Sequence, residues 1–174
     1  MDSLFSKSLA MIVSMFLLIM LLITVISPQD NATQSYVASS VYEFIDKSRA
    51  TGYISSSNYE EFVNHLDNTG LLYDITITHM SLQTDYIAEP TGVECYTYYE
   101  NFYTDEIVDI LFNTTQHTSL PYTKYALKEG DYLKVEVSNI TPTLTRNIIG
   151  YLTGSQNNGT IFIAYGGYVG SNMQ

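Results

Sequence analysis

The pattern of apolar and polar positions divides the chain near residue 27. Ser8 to Ser27, SLAMIVSMFLLIMLLITVIS, runs twenty residues without a charged side chain. As a helix it covers roughly 30 Å, the thickness of a bilayer's hydrocarbon core. Inside it only Ser14 and Thr24 are polar, and both hydroxyls can bond back to helix carbonyls. The pattern therefore predicts a membrane span. Three readings compete with it. A cleaved signal peptide would show a basic start, a shorter apolar core and a small-residue cleavage site. A buried helix of a soluble domain would need a large protein around it. A helix first held in lipid and then packed in an assembly core has the same sequence as a plain anchor.

Beyond the run the periodicity changes. Pro28 is expected to close or kink the first helix, with Pro28 to Asn31 forming a turn. From Asn31 to Ala50, Val37, Val41, Phe44 and Ile45, with Tyr36, repeat at amphipathic-helix spacing and predict a stem. Lys47 and Arg49 fall in its last turn and Gly52 follows. Ser57 to Glu60 has capping-box spacing and opens a second helix, with Tyr59, Phe62, Val63 and Leu66 on one face and a stop at Gly70. Residues 72 to 80 alternate strictly, so Tyr73, Ile75, Ile77 and His79 point one way along a strand. Ser81 to Tyr103, with Pro90, Gly92 and the tyrosine-rich VECYTYYENFY, reads as a strand or extended edge. Thr104-Asp105-Glu106 opens a third helix with Ile107, Ile110 and Leu111 inward. After a polar loop to Tyr125, residues 131 to 138 alternate with Leu133, Val135 and Val137 inward. Thr141-Pro142 then caps a short helix through Leu144, Ile148 and Leu152, ended by Gly154. TIFIAY is a strand, reached by a parallel crossover or an antiparallel return. The glycines of Tyr165 to Gly170 fit a bent strand end or a close subunit contact.

The fold class expected is α+β: a long N-terminal hydrophobic helix continuing into an amphipathic stem, and a mixed α/β head on a small sheet. The expected boundaries are a stub at 1–7, the apolar helix at 8–27, the stem at 28–52 and an extracytoplasmic head at 53–174. Charge changes the picture in two ways. Lys7 and the amino terminus precede the span and the next base is Lys47, which favours a cytoplasmic N-terminus and an extracellular C-terminal domain. The part after the span holds 17 acids and 6 bases, a field that disfavours nucleic acid. Cys95 is the only cysteine, so no intrachain disulfide forms, and it is expected to be a small buried apolar residue. Asn-x-Ser/Thr triplets start at Asn31, Asn113, Asn139 and Asn158, about as many as chance supplies at this Ser, Thr and Asn content.

Candidate chemistry is sparse. No GxSxG or SxxK nucleophile motif occurs, and His65, His79 and His117 lack metal-ligand spacing. Glu60, Glu61 and Asp67 read as a wet helix face, and Asp105, Glu106 and Asp109 as helix-start electrostatics rather than a cation loop. The glycines near the C-terminus lack the GK[ST] of a phosphate loop. No catalytic residue, cofactor or metal site is expected.

The span, Pro28, the stem and the β-rich head together make a layout similar to type IV pilin-like proteins. More narrowly the chain resembles the TadE-like minor pilins, or pseudopilins, of Gram-positive tight-adherence systems. The stretches that carry the likeness are ATGYISSSNYEEFVNHLDNTGLLYDITITH, LKEGDYLKVEVSNITPTL and AYGGYVG, about a third of the chain. The resemblance implies a non-enzymatic, single-pass subunit whose N-terminal helix is first an anchor and then part of a filament or assembly core. The chain departs from the family at position 5, where Phe5 stands in place of a glutamate, and its first glutamate is Glu43. On this reading Met11, Phe16, Leu18, Leu22 and Val25 serve membrane or assembly packing, and Tyr96, Tyr98, Tyr99 and Tyr168 offer head contacts. The partners implied are the membrane and other copies or pilin-like subunits. A membrane-tethered extracellular binding or sensing module is the alternative, and a virion structural protein a further one.

Overall fold

The computed structural model describes residues 2–89, 92–112, 124–154 and 161–170. The molecule is α+β. In chain order it comprises α1 (Asp2–Thr51), β1 (Tyr53–Ser55), α2 (Ser56–Asp67), β2 (Tyr73–Glu89), β3 (Gly92–Tyr103), α3 (Thr104–Phe112), β4 (Lys124–Ala126), β5 (Tyr132–Asn139), α4 (Leu144–Thr153) and β6 (Phe162–Tyr168). All strand pairing is antiparallel, in a four-stranded sheet of order β3-β2-β5-β6 and a two-stranded β1-β4 ribbon. The chain forms two compact units, residues 1–36 with 142–160, and residues 37–141 with 161–174.

In the larger unit, the C-terminal part of α1 buries Val37, Ser40, Val41, Phe44, Ile45 and Ser48, one stripe at helical spacing. Tyr36, expected on that stripe, is exposed. The stripe joins Ile54, Phe62 and Leu66, then Ile107 and Leu111, and one face of the sheet through Ile77, Leu133, Val135 and Val137. The opposite sheet face carries Asp74, Thr76, Lys134 and Glu136 and faces water, as antiparallel sheets allow. The alternation read from 73–79 and 133–137 thus points as expected.

Several element ends differ from expectation. Pro28 does not close the first helix, because α1 continues through it. One proline deletes one ladder hydrogen bond, whereas a break there would strip up to four carbonyls and four N–H groups of their partners. The α2 cap is Ser55, two residues before the expected Ser57, and its side chain accepts from Asn58 N. Ser57 is exposed instead. At α3 the Thr104 hydroxyl is taken up by β2, accepting from Ile77 N at 2.7 Å, and Glu106 accepts from Tyr103 N. Ile110, expected inward, is exposed while Ile107 and Leu111 are buried. The α4 cap is Thr143, not Thr141, and Leu144 and Leu152 are exposed. The β5–β6 return is antiparallel, which removes the parallel crossover.

The glycines of β6 allow two close intramolecular approaches. Arg49 Nε donates to the Tyr168 carbonyl at 2.7 Å while its Nη1 pairs with Asp46, which also accepts from the Tyr165 hydroxyl. A Cβ on Gly167 would stand 2.5 Å from the Arg49 guanidinium carbon, and one on Gly166 would stand 2.9 Å from the Leu133 carbonyl oxygen. The arginine can swing aside; the backbone of a central strand cannot. Gly166→Ala is therefore expected to cost about 1–3 kcal/mol, the range for overpacking, and Gly167→Ala less. Urea unfolding of the two variants side by side checks the order.

Candidate functional site

Three features stand out from the fold: an uncovered apolar helix, a buried polar knot and an exposed tyrosine arm. The first belongs to the smaller unit. Twelve large apolar side chains from Phe5 to Val25 are at least 50 % exposed, among them Met11, Phe16, Leu18 and Val25. Met11 to Val13 and Met15 to Leu18 are exposed as consecutive runs, so exposed side chains occur on every side of the helix at that level, while Ile19 is half-buried. Each such side chain gains roughly 1.5–3 kcal/mol on leaving water. The Leu22 side chain, also expected here, lies outside the described residues. Among the described residues no helix is long and apolar enough to cross a membrane. The uncharged run is described only in part: side chains 22, 23 and 26–28 fall outside, and its twenty-residue length is a property of the sequence. The hydroxyl of Thr24 bonds back to the Met20 carbonyl, so this polar interruption presents no unpaired donor.

The second feature centres on His79. Its Nε2 lies 2.8 Å from Asp131 Oδ2 and its Nδ1 lies 2.7 Å from the Tyr125 hydroxyl. Asp131 also accepts from the backbone N–H of Leu82 and of Lys128. Burial pushes the Asp131 carboxyl up, but the Lys128 N–H, His79 and the Leu82 N–H outweigh it and hold the group below the usual carboxylate range. Tyr125 is pushed well above the ordinary phenol range, by burial first and then by the Asp131 charge. It remains an O–H donor. With a neutral imidazole protonated on Nε2, every polar atom is satisfied: the tyrosine donates to Nδ1 and Nε2–H donates to the carboxylate. The order of groups resembles an Asp–His–hydroxyl relay, yet the imidazole and carboxylate are buried and Phe102 stacks on the imidazole with ring centres 5.5 Å apart. No substrate reaches a group so enclosed. The cluster ties β2, β4 and the start of β5 together, and Asp131 O accepts Val169 N to hold the end of β6 as well.

The sequence reading gave His79 a structural role but missed Asp131 and Tyr125. They stand 52 and 46 residues further along, and no local pattern joins them to His79.

The third feature is the outer part of the β2–β3 hairpin. Residues 95 to 100 are exposed on both faces. Tyr96 and Tyr98 share a face, while Tyr99, opposite Leu82, is on the other, so the tyrosines do not form one patch. Asp85 pushes the Tyr98 hydroxyl above its ordinary range. Cys95 is exposed on this arm, against the buried position expected. Its strand has left the core behind, and nothing remains to cover it. Tyr168 is exposed at the opposite sheet edge, against Tyr132.

An open depression of about 260 Å³ is lined by Tyr59, Glu60, Val63, Asn64 and Phe112. The crevice lined by Ser40, Glu43, Phe44, Asn58, Glu61, Phe62 and His65 offers about 10 Å³, room for one water. Among the described residues no three His, Cys, Asp or Glu side chains converge as metal ligands would. The chain matches no protein-family model, no curated protein and no solved structure, so its function is read from its own residues.

Proposed function

We propose that the protein is a non-enzymatic, membrane-anchored structural subunit of a pilin-like filament or of the apparatus that assembles one. Its N-terminal helix holds it in the membrane, N-terminus in the cytoplasm, and the α+β head stands outside the cell. The observation that carries this reading is the set of large apolar side chains from Phe5 to Val25 exposed along the helix among the described residues, a surface suited to shelter by lipid or other subunits. The uncharged length of Ser8 to Ser27 matches a bilayer, and the same surface suits packing against sister helices by close van der Waals fit.

Negative-stain microscopy of native membranes and sheared cell-surface material tests the proposal, with regular filaments or ordered assemblies expected. Closed particles would point to a virion protein instead. Single heads scattered on membrane would favour the tethered binding module, a reading supported by one observation, the tyrosine-bearing hairpin arm exposed on both faces.

A further inference from the structure

Helix α4 carries an apolar stripe that the described residues leave largely exposed. Leu144, Ile148, Tyr151 and Leu152 lie at i, i+4, i+7 and i+8, one face of the helix, and only Ile148 is half-buried. Tyr151 is 90 % exposed and Leu144 64 %. The only charged residue of the helix is Arg146, placed on the opposite side from that stripe.

Two observations say where this face sits. The α4 cap residue Thr143 is buried and donates its hydroxyl to Asp30 Oδ2 at 2.7 Å, and residues 142–160 form one compact unit with residues 1–36. Asp30 lies three residues beyond the last residue of the uncharged run, about 4.5 Å along a helix axis. The start of α4 is thereby fixed at the level where the apolar helix reaches its first charge. Charge supplies the second observation. All 18 acids precede residue 137, and residues 137–174 contain no Asp or Glu and a single base, Arg146. In a chain this acidic, the segment holding α4 is, like residues 3–29, one that an anionic surface would not repel.

We infer that α4 is an interfacial helix that beds Leu144, Tyr151 and Leu152 into the boundary between lipid headgroups and acyl chains, beside the point where α1 leaves the membrane. An interfacial helix buries its apolar face about 5–10 Å into that boundary, where tyrosine is a favoured residue. Arg146 on the other side meets phosphate or water. The inference rests on the membrane reading of α1 and adds a second, shallow contact to it.

The chain has no tryptophan, so single tryptophans report depth without background. The full chain carrying Tyr151→Trp, and separately Phe16→Trp, is reconstituted in phosphatidylcholine and phosphatidylglycerol vesicles whose acyl chains are brominated near the carbonyl or near the methyl end. The residue-151 probe is expected to emit blue-shifted light and to be quenched more strongly by the shallow bromines. The residue-16 probe is expected to be quenched by the deep ones. Water-like, unquenched emission at 151 beside quenched emission at 16 overturns the interfacial helix and leaves the span standing. Blue-shifted but unquenched emission at 151 assigns the face to a protein neighbour and overturns it too. Absence of quenching at 16 removes the membrane reading and the inference with it.

Discussion

Leu18→Asp is expected to abolish stable membrane residence and assembly of the protein. Leu18 stands near the middle of the uncharged run and its side chain is exposed on the helix. An aspartate at the centre of a spanning helix costs about 2.5–3.5 kcal/mol, and the favourable leucine contribution is lost as well. A change of that size is more than a hundredfold in an insertion equilibrium. Met11→Asp acts in the same direction, and Leu18→Ile is expected to be silent. Carbonate extraction of membranes, followed by surface labelling of the head, reads the result. If Leu18→Asp still fractionates with membranes and enters the same assemblies, the helix is sheltered by something other than lipid or sister helices and the proposed role falls.

Asp131→Ala is expected to be the most damaging single change in the larger unit, at about 3–5 kcal/mol, because three donors lose their acceptor at about 1–3 kcal/mol for each one left buried and unsatisfied. The alanine leaves His79 Nε2–H and the N–H groups of Leu82 and Lys128 facing an empty site. Tyr125→Phe removes one hydrogen bond and keeps the ring, so about 1 kcal/mol is expected. Urea unfolding of the full chain in detergent, followed by the near-ultraviolet dichroism of its tyrosines, compares the two. Because the folded carboxyl titrates below its unfolded value near 3.9, its contribution is complete above that pH and drains away as the pH falls through the folded value. The wild type should therefore lose stability below about pH 4 by more than Asp131→Ala does. Equal stability of variant and wild type at neutral pH would show that the knot holds nothing together.

Periodicity in the sequence announced the elements that bury one regular face. Ile77, Val135 and Val137 alternate because the sheet is covered on one side, and Val37 to Ile45 repeat because the stem lies on that cover. The uncharged run near the N-terminus was legible as composition, while among the described residues no helix is long and apolar enough to cross a membrane. What stayed hidden has physical reasons. Strands β1 and β4 are three residues each, too short to show a period. Cap choice turned on tertiary partners: Thr143 is held by Asp30 and Thr104 by Ile77, which no local rule anticipates. The His79 cluster is assembled from β2, β4 and the turn before β5, so only the fold brings it together. Cys95 misled because its strand runs past the core, where alternation continues without anything to bury it.

The length of β2 has a consequence of its own. Its first residues, Tyr73 to Ile77, pair with β5, Thr78 to Met80 are held between β3 and β5, and from there to Glu89 only β3 accompanies it. A two-stranded ribbon is marginal in water. Residues 81–85 and 95–100 can thus open locally while His79 and the strands beneath it stay locked, at no expense to the fold.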